Sequence, residues 1–342
     1  MNVLVLHSQV PFVRGGAEVL VEGLVKAISE CGHTVDTVSL PLSWNPVEGL
    51  LTTALSWRLL DVSSFNGRHV DCVICTKYPT WAVRHPNKAL WLIHQHRQAY
   101  DLYGTPLSEF TPNKVSRAVR ERVIEIDRRG IAECGRRFSI SNNVRERLKK
   151  YSGIDARTLY PPVPRDGLKP ESYEPFVLSV SRIDSAKRVD RLVDAWEHVT
   201  SDLKLVIAGD GPDIDKLRST VRTRGLTSRV DVLGRVDDDR LRTLFNRCRA
   251  VYYAPIDEDY GYAAVEALTA GKPVVTAPDS GGVLEFVSNE HLGLVTSLDP
   301  RPLAATVDRL SDESFARALG GDGPAATRDL TWDTVVNSLL GA

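Results

Sequence analysis

Apolar residues recur along this chain in two rhythms, and their alternation predicts the architecture. Short apolar runs at residues 3–6, 34–40, 70–75 and 89–93 have the length of buried strands. Between them the apolar positions are spaced by three and four, as at Leu24 and Ile28, which predicts helices. A glycine-bearing loop, VRGGAEVL at 13–20, joins the first strand to the first helix. This order of strand and helix implies a parallel sheet covered on both faces. It is interrupted at YPPVPRDGLKPESYEP, residues 160–175, where five prolines mark a linker or hinge. The alternation then restarts. Strands are expected in FVLSVSRI (176–183), KLVIAGDGP (204–212), RVDVLG (229–234), AVYYAP (250–255), PVVTAP (273–278) and GLVT (293–296), with a helix over 188–200. The prediction is an α/β chain of two doubly wound, Rossmann-like domains, residues 1–165 and 166–328. Ligands of such sheets sit at the carboxyl ends of strands, so a cleft between the two sheets is the expected site.

Bulk composition narrows this picture without redirecting it. At 342 residues the chain exceeds what one compact core serves, which agrees with two domains. The formal net charge of −1 implies no attraction to nucleic acid. The charge is uneven, however, with twelve Lys and Arg against five Asp and Glu in residues 114–150. Val115, Val119, Val123 and Ile126 give that segment a helical stripe, with arginines on its other faces. Two readings stand: a solvated helix face, or a docking surface for a phosphate-bearing acceptor or an anionic membrane. Cys72 and Cys75 form a lone C-x-x-C inside an apolar strand, which would point them to opposite faces. With no second pair beside them, five free thiols in a reducing cytosol are expected, and no zinc site. The opening MNVLVLHSQV lacks the basic start and the apolar length of a signal peptide, and no stretch reaches the ~18 apolar residues of a membrane span. The expected location is cytoplasmic, with peripheral contact at the inner membrane face if the basic segment docks there.

The candidate chemistry gathers after strands. Gly15 and Gly16 suit the close approach of a phosphate to backbone amides, although a tight turn explains them as well. GDGP at 209–212 has the same two readings. Arg182 ends an apolar strand and Lys187 lies in the next loop. Two cations there would meet a pyrophosphate leaving group, or else cap the following helix. In PIDEDYGYAAVEALTAGKPVV, residues 255–275, Glu258 and Glu266 would lie about 12 Å apart on a continuous helix. A retaining hydrolytic dyad needs roughly 5.5 Å, so that pairing is disfavoured. The expected arrangement puts Glu258 in a loop, Gly261 at a helix start and Glu266 about one turn inside. The amides of Gly261, Tyr262, Ala263 and Ala264 would then form an anion site, and the carboxylates would accept hydrogen bonds from hydroxyls. Phosphates on amides and hydroxyls on carboxylates suit a sugar nucleotide. Asp257-Glu258-Asp259 looks like the metal-binding D-x-D of another architecture, but cations at 182 and 187 make a metal unnecessary. Asp237-Asp238-Asp239 reads as an acidic helix start.

Glu258 and Glu266, followed by AGKPVV and SGGVLEFV, resemble the E-x7-E signature of the family 4 retaining glycosyltransferases. The likeness continues through GGAE (15–18), LIHQHRQAYD (92–101), SNNVRERLKKYSG (141–153), YPPV (160–163), SRIDSAKR (181–188), GDGP and LGRV (233–236). The resemblance implies the GT-B fold, with a helix in residues 329–342 crossing back to the first domain. It implies that Gly15, Gly16 and their loop face the donor pyrophosphate and the acceptor, and that Arg182 and Lys187 neutralise the departing pyrophosphate. Glu266 would hold the ribose hydroxyls, Glu258 the hydroxyls of the sugar, and the backbone at Arg235 and Val236 the base. His94 would lie near the transferred sugar, with Arg97 and Asp101 following at a related spacing. His96 competes with it from two residues on. No cofactor and no metal are expected. The partners are a UDP- or GDP-sugar donor and a glycan, lipid-linked or small-molecule acceptor, with no nucleic acid. Tyr260-Gly261-Tyr262 departs from the commoner Phe-Gly-aliphatic, which puts a hydroxyl at 262. A sugar-nucleotide epimerase or a non-catalytic sugar-nucleotide binder of the same fold are the alternatives. A dehydrogenase is disfavoured, since no G-x-G-x-x-G stands ahead of an acidic residue.

Overall fold

The computed structural model describes residues 1–288 and 290–341. It divides into two compact units, one formed by residues 1–162 with the C-terminal stretch from Thr331, the other by Val163–Leu330. The α/β character and the two parallel sheets are as the apolar pattern predicts.

In the first unit β1 (Asn2–Gln9), β2 (Thr34–Pro41), β3 (Ser64–Phe65), β4 (Arg68–His69), β5 (Cys72–Lys77), β6 (Lys88–His94), β7 (Arg136–Ser139) and β8 (Arg157–Thr158) are the strands. All but the β3–β4 hairpin form one sheet, ordered β2-β1-β5-β6-β7-β8 and parallel throughout. β5 and β6 are buried nearly end to end, as parallel strands covered on both faces must be. The helices are α1 (Gly16–Glu30), α2 (Gly49–Leu59), α3 (Lys114–Ala132) and α4 (Asn142–Ser152). α3 and α4 start where the side chains of Asn113 and Ser141 accept the amides of Ser116 and Val144. The chain re-enters this unit through a helix at Trp332–Leu340, labelled α12 below. Its Trp332 ring packs edge-on against Trp91 at 6.2 Å and fills the place where Gly23 has no side chain. A Cβ at Gly23 would stand 2.4 Å from that ring, so the glycine is what lets the helix dock.

The basic segment 114–150 is not one face. It is α3, then β7, then α4, and the apolar spacing missed β7 because that strand carries Arg136 and Arg137. Much of the charge is used internally. Arg136 donates to Asn87 Oδ1 at 2.7 Å and to the Leu339 carbonyl at 3.0 Å. Arg122 and Arg129 share Glu125, and buried Arg147 faces Asp101 at 3.8 Å.

The second unit has strands β9 (Phe176–Val180), β10 (Lys204–Ala208), β11 (Val230–Gly234), β12 (Ala250–Tyr252), β13 (Val274–Thr276) and β14 (Gly293–Val295). Their order is β11-β10-β9-β12-β13-β14, again parallel throughout. The helices are α5 (Val189–Trp196), α6 (Ile214–Thr223), α7 (Asp238–Arg247), α8 (Tyr262–Thr269), α9 (Pro300–Arg309), α10 (Glu313–Gly320) and α11 (Gly323–Thr327), before α12 returns to the first unit. Successive β9 residues feed opposite cores, Val177 into one apolar cluster and Leu178 into the other. The GDGP glycines have a packing role here. A Cβ on Gly209 or Gly211 would stand 1.9 or 2.3 Å from carbonyls of the loop after β9.

Each sheet has one place where successive crossovers leave in opposite directions. In the first unit it lies between β1 and β5, in the second between β9 and β12. The carboxyl ends of these strand pairs are where an open α/β sheet offers a crevice for ligands. Among the described residues no helix is long and apolar enough to cross a membrane.

Candidate functional site

In the second unit, the loops after β9 and β12 are stitched together at the switch point. The Asp184 carboxylate accepts the amides of Ala186 and Lys187, which folds the first loop into a turn. Ile256 donates its amide to the Ala186 carbonyl at 2.9 Å. Arg188, in a left-handed backbone conformation, donates to the carbonyls of Ala254 and Pro255 and to Asp279. Held this way, Lys187 Nζ donates to Glu258 Oε2 and to the Tyr253 hydroxyl at 3.4 Å. Burial alone would lower the lysine pKa, but Tyr253 and Glu258 outweigh it and raise the value, so the ammonium is permanent. Arg182 leaves the same loop yet stays exposed, 3.6 Å from Asp184.

The β12 loop then opens a helix. Gly261 has φ +97°, and a Cβ there would meet Val283 Cγ2 at 2.8 Å, so no other residue fits without strain. α8 begins at Tyr262 with no side-chain cap. The Gly261 carbonyl accepts the amides of Ala264 and Val265, at 3.0 and 3.3 Å. The expected four-amide anion site is therefore shorter than the spacing implied, because Ala264 is committed to the helix and Gly261, Tyr262 and Ala263 are what remains. Ala263 is buried, and the Tyr262 hydroxyl is buried with no hydrogen-bond partner.

Glu266, one turn inside α8, is 4% exposed and carries an ion pair that the sequence did not disclose. Arg165 donates Nη1 to Glu266 Oε1 and Nη2 to Asp238 Oδ1 at 2.8 Å. Burial raises the Glu266 pKa, and Arg165 offsets only part of the rise. The two glutamates thus serve separate cations, Glu258 with Lys187 and Glu266 with Arg165. Arg165 lies in the proline-rich stretch that reads as a linker, where nothing in the local spacing marks it. Arg235 and Val236 follow β11, the first exposed and the second packed on the apolar cluster beneath α8. Asp237 caps α7 by accepting the Arg240 amide at 2.7 Å, as an acidic helix start should. Among the described residues no three His, Cys, Asp or Glu side chains converge as a metal site, and Asp257-Glu258-Asp259 is no exception.

The first unit builds its own charged group at the β1/β5 switch point. His7 near the end of β1, Lys77 at the end of β5 and Glu18 in the first turn of α1 come together. Glu18 Oε1 lies 3.3 Å from His7 Nε2 and accepts Lys77 Nζ at 3.1 Å, while Oε2 accepts the Gly15 amide at 2.7 Å. Burial would raise this carboxyl, but His7, Lys77 and the amide overcome it and bring its pKa down to about 2. Gly15 is accordingly engaged with Glu18, and Gly16 opens the helix. Lys77 also stands in register with His94, the half-buried end of β6. His94 and His96 part company: His94 directs Nδ1 to the Gln95 carbonyl at 2.8 Å, whereas His96 is packed among Trp44, Tyr78 and Phe110. Burial and the neighbouring His94 lower the His96 pKa to about 4, so that ring is neutral. Arg97 and Asp101 form an ion pair within the loop after β6. The sequence missed Glu18 and Lys77 as partners, although the GGAE motif and the lysine ending an apolar strand were visible signals.

Residues 165–320 match the family model described as Glycosyl transferases group 1. Among curated relatives, the D-inositol 3-phosphate glycosyltransferase of Xylanimonas cellulosilytica is 30% identical over 205 residues, 55% of this chain and 48% of that protein. The chain spans about half the length of the curated relatives it matches. Among solved structures, sucrose-phosphate synthase from Thermosynechococcus elongatus matches with a TM-score of 0.74 at 18% identity, covering 100% of this chain and 98% of that one. Anabaena Alr3699/HepE in complex with UDP-glucose matches with a TM-score of 0.71 at 16% identity, with the same coverage. The fold is GT-B. At these identities the solved structures speak for the fold alone, while the family model covers nearly all of the second unit and so includes both glutamates and both of their cations.

Proposed function

We propose that this protein is a retaining, metal-independent glycosyltransferase of the family 4 type, moving a sugar from a nucleoside diphosphate donor to an acceptor hydroxyl. The observation that carries this reading is the β9/β12 switch point, where Lys187, Glu258 and the start of α8 are held within one stitched pair of loops. Lys187 supplies a fixed positive charge for the diphosphate as it departs, and exposed Arg182 can turn toward the same charge. The remaining amides at the start of α8 meet phosphate oxygens, Glu258 accepts from sugar hydroxyls, and Glu266 accepts from the ribose. The backbone at Arg235 and Val236 receives the base. In the first unit, Gly16 and its loop serve the donor pyrophosphate and the acceptor, and His94 serves the transferred sugar. Front-face displacement, with the leaving phosphate oxygen taking the acceptor proton, asks of the protein only positioning and charge stabilisation. The proposed location is the cytoplasm, with the exposed cations of residues 114–150 as the surface for an anionic membrane should the acceptor be lipid-linked.

The test is a thermal-shift screen with UDP, GDP, ADP and dTDP, since a ligand that binds only the folded state raises the melting temperature. One or two of these should stabilise the protein, and the matching nucleotide-sugar should be consumed only when acceptor is present. Turnover of the donor sugar into its epimer without acceptor would favour the epimerase reading, and no shift with any nucleotide would overturn the donor assignment.

A further inference from the structure

Glu266 presents a problem that its proposed role makes sharper. A carboxylate 4% exposed at the start of an apolar helix is an expensive charge to keep, and a neutral carboxyl is a weaker acceptor that puts an O–H donor on one of its two oxygens. Three groups face it. Arg165 comes from the first residues of the second unit, Asp238 from the start of α7, and Tyr262 from one turn earlier on α8 itself. Asp238 is exposed and adds negative charge, which opposes ionisation of Glu266. The Tyr262 hydroxyl has no hydrogen-bond partner. Among the described residues, Arg165 is the one hydrogen-bond donor to the carboxylate, and it engages Oε1 alone.

We propose that Arg165 is a positioning residue of the donor site, holding Glu266 by one oxygen so that it stays ionised and offers the other oxygen to the ribose diol. This rests on the nucleotide-sugar reading above. The guanidinium suits the task because its planar fork spans Glu266 and Asp238 at once, fixing the rotamer as well as the charge. Its own Nε is buried without a partner, so the side chain is kept in place by these two carboxylates and not by a wider network. Arg165 also lies three residues beyond the boundary between the two units, so the segment joining them carries the group that sets the charge of the ribose acceptor.

The sign of the effect follows. Arg165 lowers the Glu266 pKa against burial, so its removal lets that pKa rise further, and the carboxylate is lost at a higher pH than in the wild type. The experiment is calorimetric titration of UDP and GDP into wild type, Arg165→Met and Arg165→Lys between about pH 5.5 and pH 8.5. The ratio of variant to wild-type affinity cancels the nucleotide's own protonation. For Arg165→Met we expect a loss of about tenfold or more near pH 6 that narrows steadily as pH rises, since one unit of pKa is tenfold in binding. Arg165→Lys should recover part of it. The 2′,3′-dideoxy analogue should show no such pH-dependent loss, nor should Arg165→Met added to a Glu266→Gln background. A loss that is the same at every pH, or superimposable profiles, would overturn the inference while leaving the donor reading intact. If the wild type binds no nucleotide, the donor reading falls and this inference falls with it.

Discussion

Each unit carries a lysine–glutamate pair at the switch point of its sheet, and the two pairs differ in how firmly they are closed. Lys77 and Glu18 are 7% and 11% exposed, and Glu18 is further engaged by His7 and the Gly15 amide. Lys187 and Glu258 are 20% and 23% exposed, with Tyr253 beside the lysine. The same topology therefore yields a locked pair that organises a helix start and a more exposed pair, the one proposed above to meet the donor. Glu18 is inside the first turn of α1, where the helix dipole and three donors favour its charge. Glu258 is in the loop before α8, outside the helix, where it meets the Lys187 ammonium at a more exposed position.

The largest effect should come from opening the second pair. Lys187→Ala is expected to lower the transfer rate by about a hundredfold to a thousandfold, the size of removing one donor from a developing negative charge. Its thermal stability should change little, because Glu258 can be hydrated once released. Steady-state kinetics with saturating donor check the first expectation and a melting curve the second. The reverse outcome, a large melting shift with transfer intact, would make this pair structural and erase the distinction.

Lys77→Ala should behave oppositely. Removing one partner of a buried pair leaves an uncompensated charge, at a cost of about 3 kcal/mol or more. Chemical denaturation should show this as a lower midpoint. If stability held and transfer collapsed instead, the first unit's pair would be part of the acceptor machinery.

Acid sharpens the same contrast. Glu18 has a folded pKa of about 2, below its ordinary 4.5, so its contribution is complete above the ordinary value and is lost as pH falls toward 2. The depression corresponds to about 3 kcal/mol. Wild type should lose that much more stability than Glu18→Gln between about pH 5 and pH 2, measured by urea midpoints at each pH. Parallel curves for the two proteins would show that Glu18 is not held as the contacts imply.

What the chain disclosed beforehand follows from how far apart the interacting residues lie. The two sheets were legible because their strands are continuous apolar runs, and the Lys187 loop and the Gly261 helix start because both follow such runs directly. β7 was not, since its arginines break the apolar signal, while the Arg136 head finds partners at Asn87 and Leu339 and the Arg137 head at the Cys134 carbonyl. The Glu18–Lys77 pair joins residues 59 positions apart, and Arg165 reaches Glu266 across 101. Side-chain pairings of that range are set by the packing of whole elements, and no local spacing encodes them. The basic segment shows the same limit, since charge counted along the chain says nothing about how much of it pairs internally.

The smallest expected effect distinguishes the glycines of the two switch points. Gly261 is at φ +97° with a would-be Cβ 2.8 Å from Val283 and 3.2 Å from Tyr253, so Gly261→Ala should cost roughly 1–3 kcal/mol through backbone strain and displacement of that packing. Gly15 is extended, at φ −149°, and a Cβ there would meet only Glu18 Oε2 at 3.7 Å, an ordinary contact. Gly15→Ala should therefore leave stability within about 0.5 kcal/mol of wild type. Equilibrium denaturation of the two variants side by side measures the difference directly. If Gly15→Ala nonetheless reduces donor or acceptor affinity, that glycine is there for the ligand's approach and not for the fold, whereas at Gly261 the fold alone is reason enough. Equal stability losses at the two positions would mean that the first unit's loop is as tightly constrained as the second's, and the contrast between a closed and an open switch point would have to rest on the ion pairs alone.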